Sequence, residues 1–214
     1  MTRTKICGIT AERDLHAAVD AGADAVGFIA DVNVDTPREV AVERAAALVA
    51  AAPPFVTTVL VTMPGTPERA ADLVERVNPD VIQVHSGLSV DEVETVAATA
   101  PVSVIKTVDA AAPDGKRFDD VVDALLVDSV DSEGAGGTGR THDWDATREF
   151  ADTADSPVVL AGGLTPENVA EAVATVEPFA VDVASGVERA GGEKDHDAVR
   201  EFVANATQPA EVEL

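Results

Sequence analysis

What most limits the folds open to this chain is a pattern that comes round eight times: a short apolar, β-branched run, then a longer stretch with helical spacing. TKIC (4–7) is followed by AERDLHAAVDAG, in which Leu15, Ala18 and Val19 share one helix face before a terminating Gly22. ADAVGFI (23–29) leads past Pro37 into a helix expected to run to about Ala51, where Pro53 and Pro54 stop it. FVTTVLVT (55–62) precedes a helix over 67–77. DVIQVH (80–85) precedes SVDEVETVAATA, where Ser89 and Glu92 have capping-box spacing. VSVIKTV (102–108) is the fifth run, followed by a stunted helix around 118–122. DALLVD (123–128) is the sixth, with a long glycine-rich loop and a helix over 143–152 behind it. SPVVLAGG (156–163) runs through Pro166 into ENVAEAVATV, and FAVDVASG (179–186) into a loop and a last helix over 195–206.

Continuous apolar strands alternating with amphipathic helices imply a parallel sheet covered by helices. Eight such units in 214 residues fit one closed (β/α)8 barrel, a TIM barrel taking in residues 1–214 as a single domain. A doubly wound open sheet is the runner-up. It would carry more polar edge strands, and the first strand is not followed by G-x-G-x-x-G. The 46% hydrophobic content supplies one sizeable core, and no Ser/Gly/Pro-rich linker divides it.

Charge narrows the partners. With 39 acidic and 15 basic residues, the formal net charge is −24, so nucleic acid and anionic membranes are poor partners. The acids are interleaved with Val, Ala and Leu, which favours folding over disorder. An acidic surface with only four lysines suits a halophile's protein, because concentrated salt screens the self-repulsion. One cysteine allows no internal disulfide, the apolar runs are too short to span a membrane, and no signal peptide opens the chain. A cytoplasmic protein is expected.

In a barrel of this kind the active site lies at the C-terminal strand ends. Those positions carry Cys7, Thr62, His85, Lys106, Asp128, Gly162, Gly163, Asp182 and Ser185, and the loop after the second strand carries Arg38. A lone cysteine is often inert packing. At a strand end before Gly8, with Asp128 on the same rim, Cys7 is instead a candidate catalytic group. Gly162, Gly163, Ser185 and Gly186 follow the seventh and eighth strands, where backbone N–H groups commonly hold phosphate. GAGGTGR (134–140) could close over the site or be a plain linker. The four histidines lack metal-ligand spacing, so no metal is expected. Met63 and Trp144 read as packing residues.

Five segments, in order and spread over nearly the whole chain, resemble the phosphoribosylanthranilate isomerase family of tryptophan biosynthesis. They are KICGIT (5–10), LLVD (125–128) with GGTGRTHDW (136–144), LAGGLTPENV (160–169), FAVDVASGVE (179–188) and GEKDHD (192–197). The departures are His142 in place of an aromatic, QVHSG (83–87) for Gln-Leu-His-Gly, and LVTM (60–63) for a strand ending Phe-Val-Asn. The resemblance implies an Amadori rearrangement of a phosphorylated aminosugar bearing an anthranilate carboxylate, with no cofactor. Asp128 is then the general acid and Cys7 the general base. Partial burial is expected to raise the Asp128 pKa. A local positive potential, to which Lys106 could contribute, is expected to favour the Cys7 thiolate. Arg38 offers a two-pronged donor to the carboxylate, and Asp182 a partner for the ribose hydroxyls or the linking amine. A histidine-pathway aminoaldose isomerase would be expected to carry aspartate where Cys7 stands, and an indole-glycerol-phosphate synthase would need further Lys/Glu machinery. A phosphosugar-binding barrel without turnover is the non-enzymatic alternative. A homo-oligomer stays open.

Overall fold

The computed structural model describes residues 1–85, 87–109, 115–128 and 144–207. The glycine-rich stretch 134–140 and His142 lie outside the described residues. Strands β1 (Arg3–Ile6), β2 (Ala25–Ile29), β3 (Thr57–Thr62), β4 (Val81–Val84), β5 (Ser103–Val108), β6 (Ala124–Val127), β7 (Val158–Leu160) and β8 (Ala180–Val183) pair in chain order, all parallel. β8 returns to β1, with Lys5 opposite Asp182, so the sheet is closed and the open-sheet alternative is excluded.

The helices that cover it are α1 (Glu12–Asp20), α2 (Val42–Ala51), α3 (Pro67–Val77), α4 (Val90–Thr99), α5 (Trp144–Ala151), α6 (Val169–Val176) and α7 (His196–Thr207). Local chemistry fixes several of their ends. Gly22 takes φ +89 after α1, in the left-handed region a helix-ending glycine can adopt. The Ser89–Glu92 capping box forms at α4, with the Glu92 carboxylate accepting from the Ser89 amide at 2.7 Å. α3 has Thr66 at its N-cap and Pro67 in its first turn.

Three stretches depart from the sequence reading. α2 starts at Val42 rather than just after Pro37, because the chain first crosses the barrel mouth. There the Val40 amide donates to Ile29 O at 2.9 Å, and Glu39 bridges Ile29. After β5, among the described residues, a 3₁₀ segment (Gly115–Val121) stands where a short α-helix was expected. Before α7, the supposed loop holds a small antiparallel ribbon, β9 (Glu188–Ala190) with β10 (Glu193–Lys194). Its turn needs Gly192, which has φ +76. A methyl there would lie 2.4 Å from Pro37 O, so ribbon and mouth-crossing segment pack backbone to backbone.

Two phases of side chains leave the strands. One phase (Ile6, Leu60, Val84, Leu125, Val127) packs outward under the helices. The other fills the barrel: Val59 and Val61 against Cys7, and Leu126, Val159, Ala161 and Ala180 against one another. This inner layering is how eight strands close without leaving a pore.

Candidate active site

A cavity of about 240 Å³ opens at the C-terminal strand ends. Of the residues nominated from the sequence, Cys7, Arg38, Asp128, Gly162, Gly163, Asp182, Ser185 and Gly186 line it, as does His85. Cys7 follows β1, anchored by its amide to Val183 O at 2.8 Å, and Asp128 follows β6, anchored to Val108 O at 3.1 Å. The two elements are three strands apart around the closed sheet, so thiol and carboxyl approach the cavity from different sides.

Gly8 explains the residue after the thiol. It has φ +72, and a methyl on it would lie 2.8 Å from Arg38 Cδ, so the arginine stem crosses the bare turn. The Arg38 guanidinium is held by Glu188 from the ribbon, Nε to Oε1 at 2.9 Å and Nη2 to Oε2 at 2.8 Å. One two-pronged edge is therefore already occupied, and the Nη1/Nη2 edge is left for a ligand carboxylate. Glu188 also accepts from Lys194 Nζ at 2.8 Å. The two cations hold its carboxyl below the usual range against burial, which alone would raise it.

Gly162 and Gly163 have φ +89 and +66, lie beyond the last β7 residue pair and line the cavity. Gly186 does more than turn the chain. A methyl there would stand 1.9 Å from Leu164 O, so the loops after β7 and β8 touch through their backbones. Glycine turns of this kind leave backbone N–H groups able to meet an anion.

The inward phase also brings in Gln83, which the strand-end reading did not single out, beside His85, which it did. Gln83 lines the cavity, with Nε2 donating to Thr107 Oγ1 at 3.2 Å. His85 lines it too, and its buried Nε2 has no hydrogen-bond partner among the described residues. Burial first, then the nearby Lys106 and Lys5 charges, bring the His85 pKa down to about 4, so its ring is neutral at pH 7. Met63, expected as packing, is at the cavity edge. Trp144 packs against the main outer core.

Two rim residues point elsewhere. Thr62 donates to Asp31 O at 3.1 Å, and Lys106 donates to Thr107 O at 2.6 Å with its ammonium 5.2 Å from the Phe118 ring. Both pair with Val84, whose side chain packs in the outer layer, so they share the outward phase. Burial lowers the Lys106 pKa to about 8. The positive potential nearest Cys7 comes instead from Lys5 and Lys194. It does not prevail. Burial pushes the Cys7 thiol up, the lysines only partly offset this, and the free site holds a thiol with a raised pKa.

A (β/α)8 barrel whose mouth joins a thiol, a carboxyl, an arginine and glycine turns after its last two strands has the make-up of a phosphosugar-handling enzyme barrel. The comparisons are specific. Residues 4–205 match the family model described as N-(5'phosphoribosyl)anthranilate (PRA) isomerase. N-(5'-phosphoribosyl)anthranilate isomerase of Halobacterium salinarum is 67% identical over 210 residues, covering 97% of this chain and 96% of the relative. The Haloferax volcanii protein of the same name is 59% identical, covering 96% and 93%. Both sources are halophilic, in keeping with the acidic surface. The crystal structure of phosphoribosyl anthranilate isomerase from Thermotoga maritima superposes with a TM-score of 0.85 at 35% identity, covering 96% of this chain and 98% of that one. Another, in complex with reduced 1-(o-carboxyphenylamino)-1-deoxyribulose 5-phosphate, gives 0.83 at 34% identity, with the same coverage. This chain belongs to the N-(5'-phosphoribosyl)anthranilate isomerase family.

Proposed function

We propose that this chain is an N-(5'-phosphoribosyl)anthranilate isomerase of tryptophan biosynthesis, working by general acid–base catalysis with Asp128 as acid and Cys7 as base. The observation that carries this is the convergence of Cys7, Asp128, Arg38 and the β7/β8 glycines on one cavity. One substrate presents a matching set of groups: a ring oxygen to protonate, a C2' proton to remove, a carboxylate and a phosphate.

Asp128 gives its proton to the furanose ring oxygen as the C1'–O bond breaks, and the anthranilate nitrogen lone pair closes to a C1'=N iminium. The Cys7 thiolate then takes the C2' proton, and the electron pair of that C–H bond neutralises the iminium, leaving an enolamine. Tautomerisation to the 1-amino-1-deoxyketose completes an isomerisation in which no atom is gained or lost. Two proton transfers need no cofactor. Amides at Gly162, Gly163, Ser185 and Gly186 hold the phosphate, and the free Arg38 edge holds the carboxylate. Asp182, with Oδ1 on Lys5 at 2.9 Å, offers its other oxygen to the ribose hydroxyls or linking amine. The cytoplasm is the compartment this reading implies. A relative from Thermotoga maritima is described as dimeric, so a homo-oligomer here is to be read by sedimentation at high salt.

The test is a fluorescence assay with freshly generated phosphoribosylanthranilate at high salt. Signal loss faster than spontaneous decay is expected, and Cys7→Ala and Asp128→Asn should each lower kcat at least ~100-fold with folding intact. Near-normal turnover in either variant removes that assignment. No enzymatic signal in the parent protein favours a barrel that binds phosphosugar without turning it over.

A further inference from the structure

The mechanism above uses neither of the two buried lysines on the Cys7 side. Lys5 is 4% exposed and stands two residues before Cys7, so both side chains leave the chain on the inward phase. Its Nζ donates to Asp182 Oδ1 at 2.9 Å, across the β1–β8 seam, where the two residues are register partners. Gly27 on β2 makes the room. A methyl there would lie 2.8 Å from Cys7 Sγ and 3.2 Å from Lys5 Cε, so thiol and lysine tip press on the same bare spot of the wall.

We propose that Lys5 is the positioning residue for Cys7: clamped by Asp182 below the cavity floor, its ammonium steadies the thiolate and holds the sulfur toward the substrate. The proposal rests on the reading of Cys7 as the base. Its physical basis is the cost of ionising a sulfur that is 5% exposed in an apolar layer with Val59 and Val61. A fixed cation within that layer offsets part of such a cost.

The other charged and titratable neighbours act as follows. Asp182 on β8 opposes the thiolate, although one of its oxygens is occupied by Lys5. Lys194 on β10 favours it, but is tied to Ala184 O at 2.9 Å and to Glu188 at 2.8 Å. Arg38 crosses Gly8 and is bound to Glu188, His85 just after β4 is neutral at pH 7, and Asp128 lies across the cavity. Burial alone would lower the Lys5 pKa. Asp182 and the Cys7 sulfur outweigh it and keep the ammonium charged well past neutrality.

Cys7 is the only cysteine, so thiolate ultraviolet absorbance and iodoacetamide alkylation rate report on this sulfur alone. Titrated at high salt, Lys5→Met should move the thiol midpoint up by about one pH unit or more, roughly tenfold less thiolate at neutral pH. The kcat limb should move by the same amount with KM little changed, and Lys5→Arg should restore most of both. A folded Lys5→Met protein whose thiol midpoint stays at the parent value overturns the proposal. So does a kcat loss without any midpoint shift, which is what a merely structural lysine would give. Should Lys5→Met not fold, because it strands the Asp182 charge, Lys5→Met/Asp182→Asn is compared with Asp182→Asn by the same titration. A higher midpoint in the double variant supports the proposal, and an equal one refutes it. The titration does not depend on turnover. An active Cys7→Ser protein would sink the base assignment while leaving the measured Lys5–Cys7 coupling in place.

Discussion

From β8 through β1 to the ribbon, the cavity wall is ionic: Lys5 with Asp182, and Glu188 shared between Lys194 and Arg38. Across the opening, Gln83 of β4 and a neutral His85 just after it line the cavity, and Gln83 donates one amide–hydroxyl hydrogen bond to Thr107 of β5. The ionic side is where the proposed mechanism forms an anion on sulfur and seats a carboxylate, and each of its charges is already matched. A buried ion pair breaks asymmetrically. Removing one member strands the other, whereas losing one neutral hydrogen bond leaves little behind.

The comparison can be broken most decisively at Asp182. Asp182→Ala leaves Lys5 charged and unpaired, and should cost about 3–5 kcal/mol in the urea unfolding free energy at fixed salt. A loss near 1 kcal/mol would show the two walls to be alike. Next comes Arg38→Ala, which should raise KM for the anthranilate substrate by about 10- to 100-fold, the value of a charged two-pronged contact. An unchanged KM removes Arg38 from substrate binding.

His85 sharpens the contrast through pH. Its pKa is about 4 in the folded protein against an ordinary 6.5, so between those values the unfolded chain holds a proton that the folded one refuses. Its contribution to stability is complete above pH 6.5 and fades as pH falls toward 4. His85→Gln should flatten that part of the stability profile, and an unaltered slope would mean another group carries it. The smallest effect is expected at Thr107→Val, about 1 kcal/mol or less, because cavity water can take over from the lost hydroxyl.

Much of this was legible in the sequence. Eight apolar runs at barrel spacing gave the architecture, and motifs at the strand ends gave Cys7, Asp128 and the glycines. Height along a strand was readable; direction was not. Thr62 and Lys106 stand at mouth height but on the outward phase, whereas Gln83, two residues before His85, is inward and was passed over. In a strand buried on both faces, apolarity carries no phase, so only the register of neighbouring strands decides it. The ribbon was missed because two short strands leave too faint a period, and its Glu188 and Lys194 went unread with it. The raised Cys7 pKa also escaped the sequence, since it depends on how deeply the sulfur sits.

The seam between β1 and β8 has a consequence for biosynthesis. Lys5 finds Asp182 at a separation of 177 residues, and Thr10 with Gly192 and Asp14 with His196 are tied at 182. Cys7 is translated well before Asp182, which clamps its neighbouring lysine, and Arg38 well before its anchor Glu188. A nascent chain therefore carries the proposed base before the surroundings that would position it. The cavity wall is complete only once the unit carrying β8 has docked on β1 and the ring has shut.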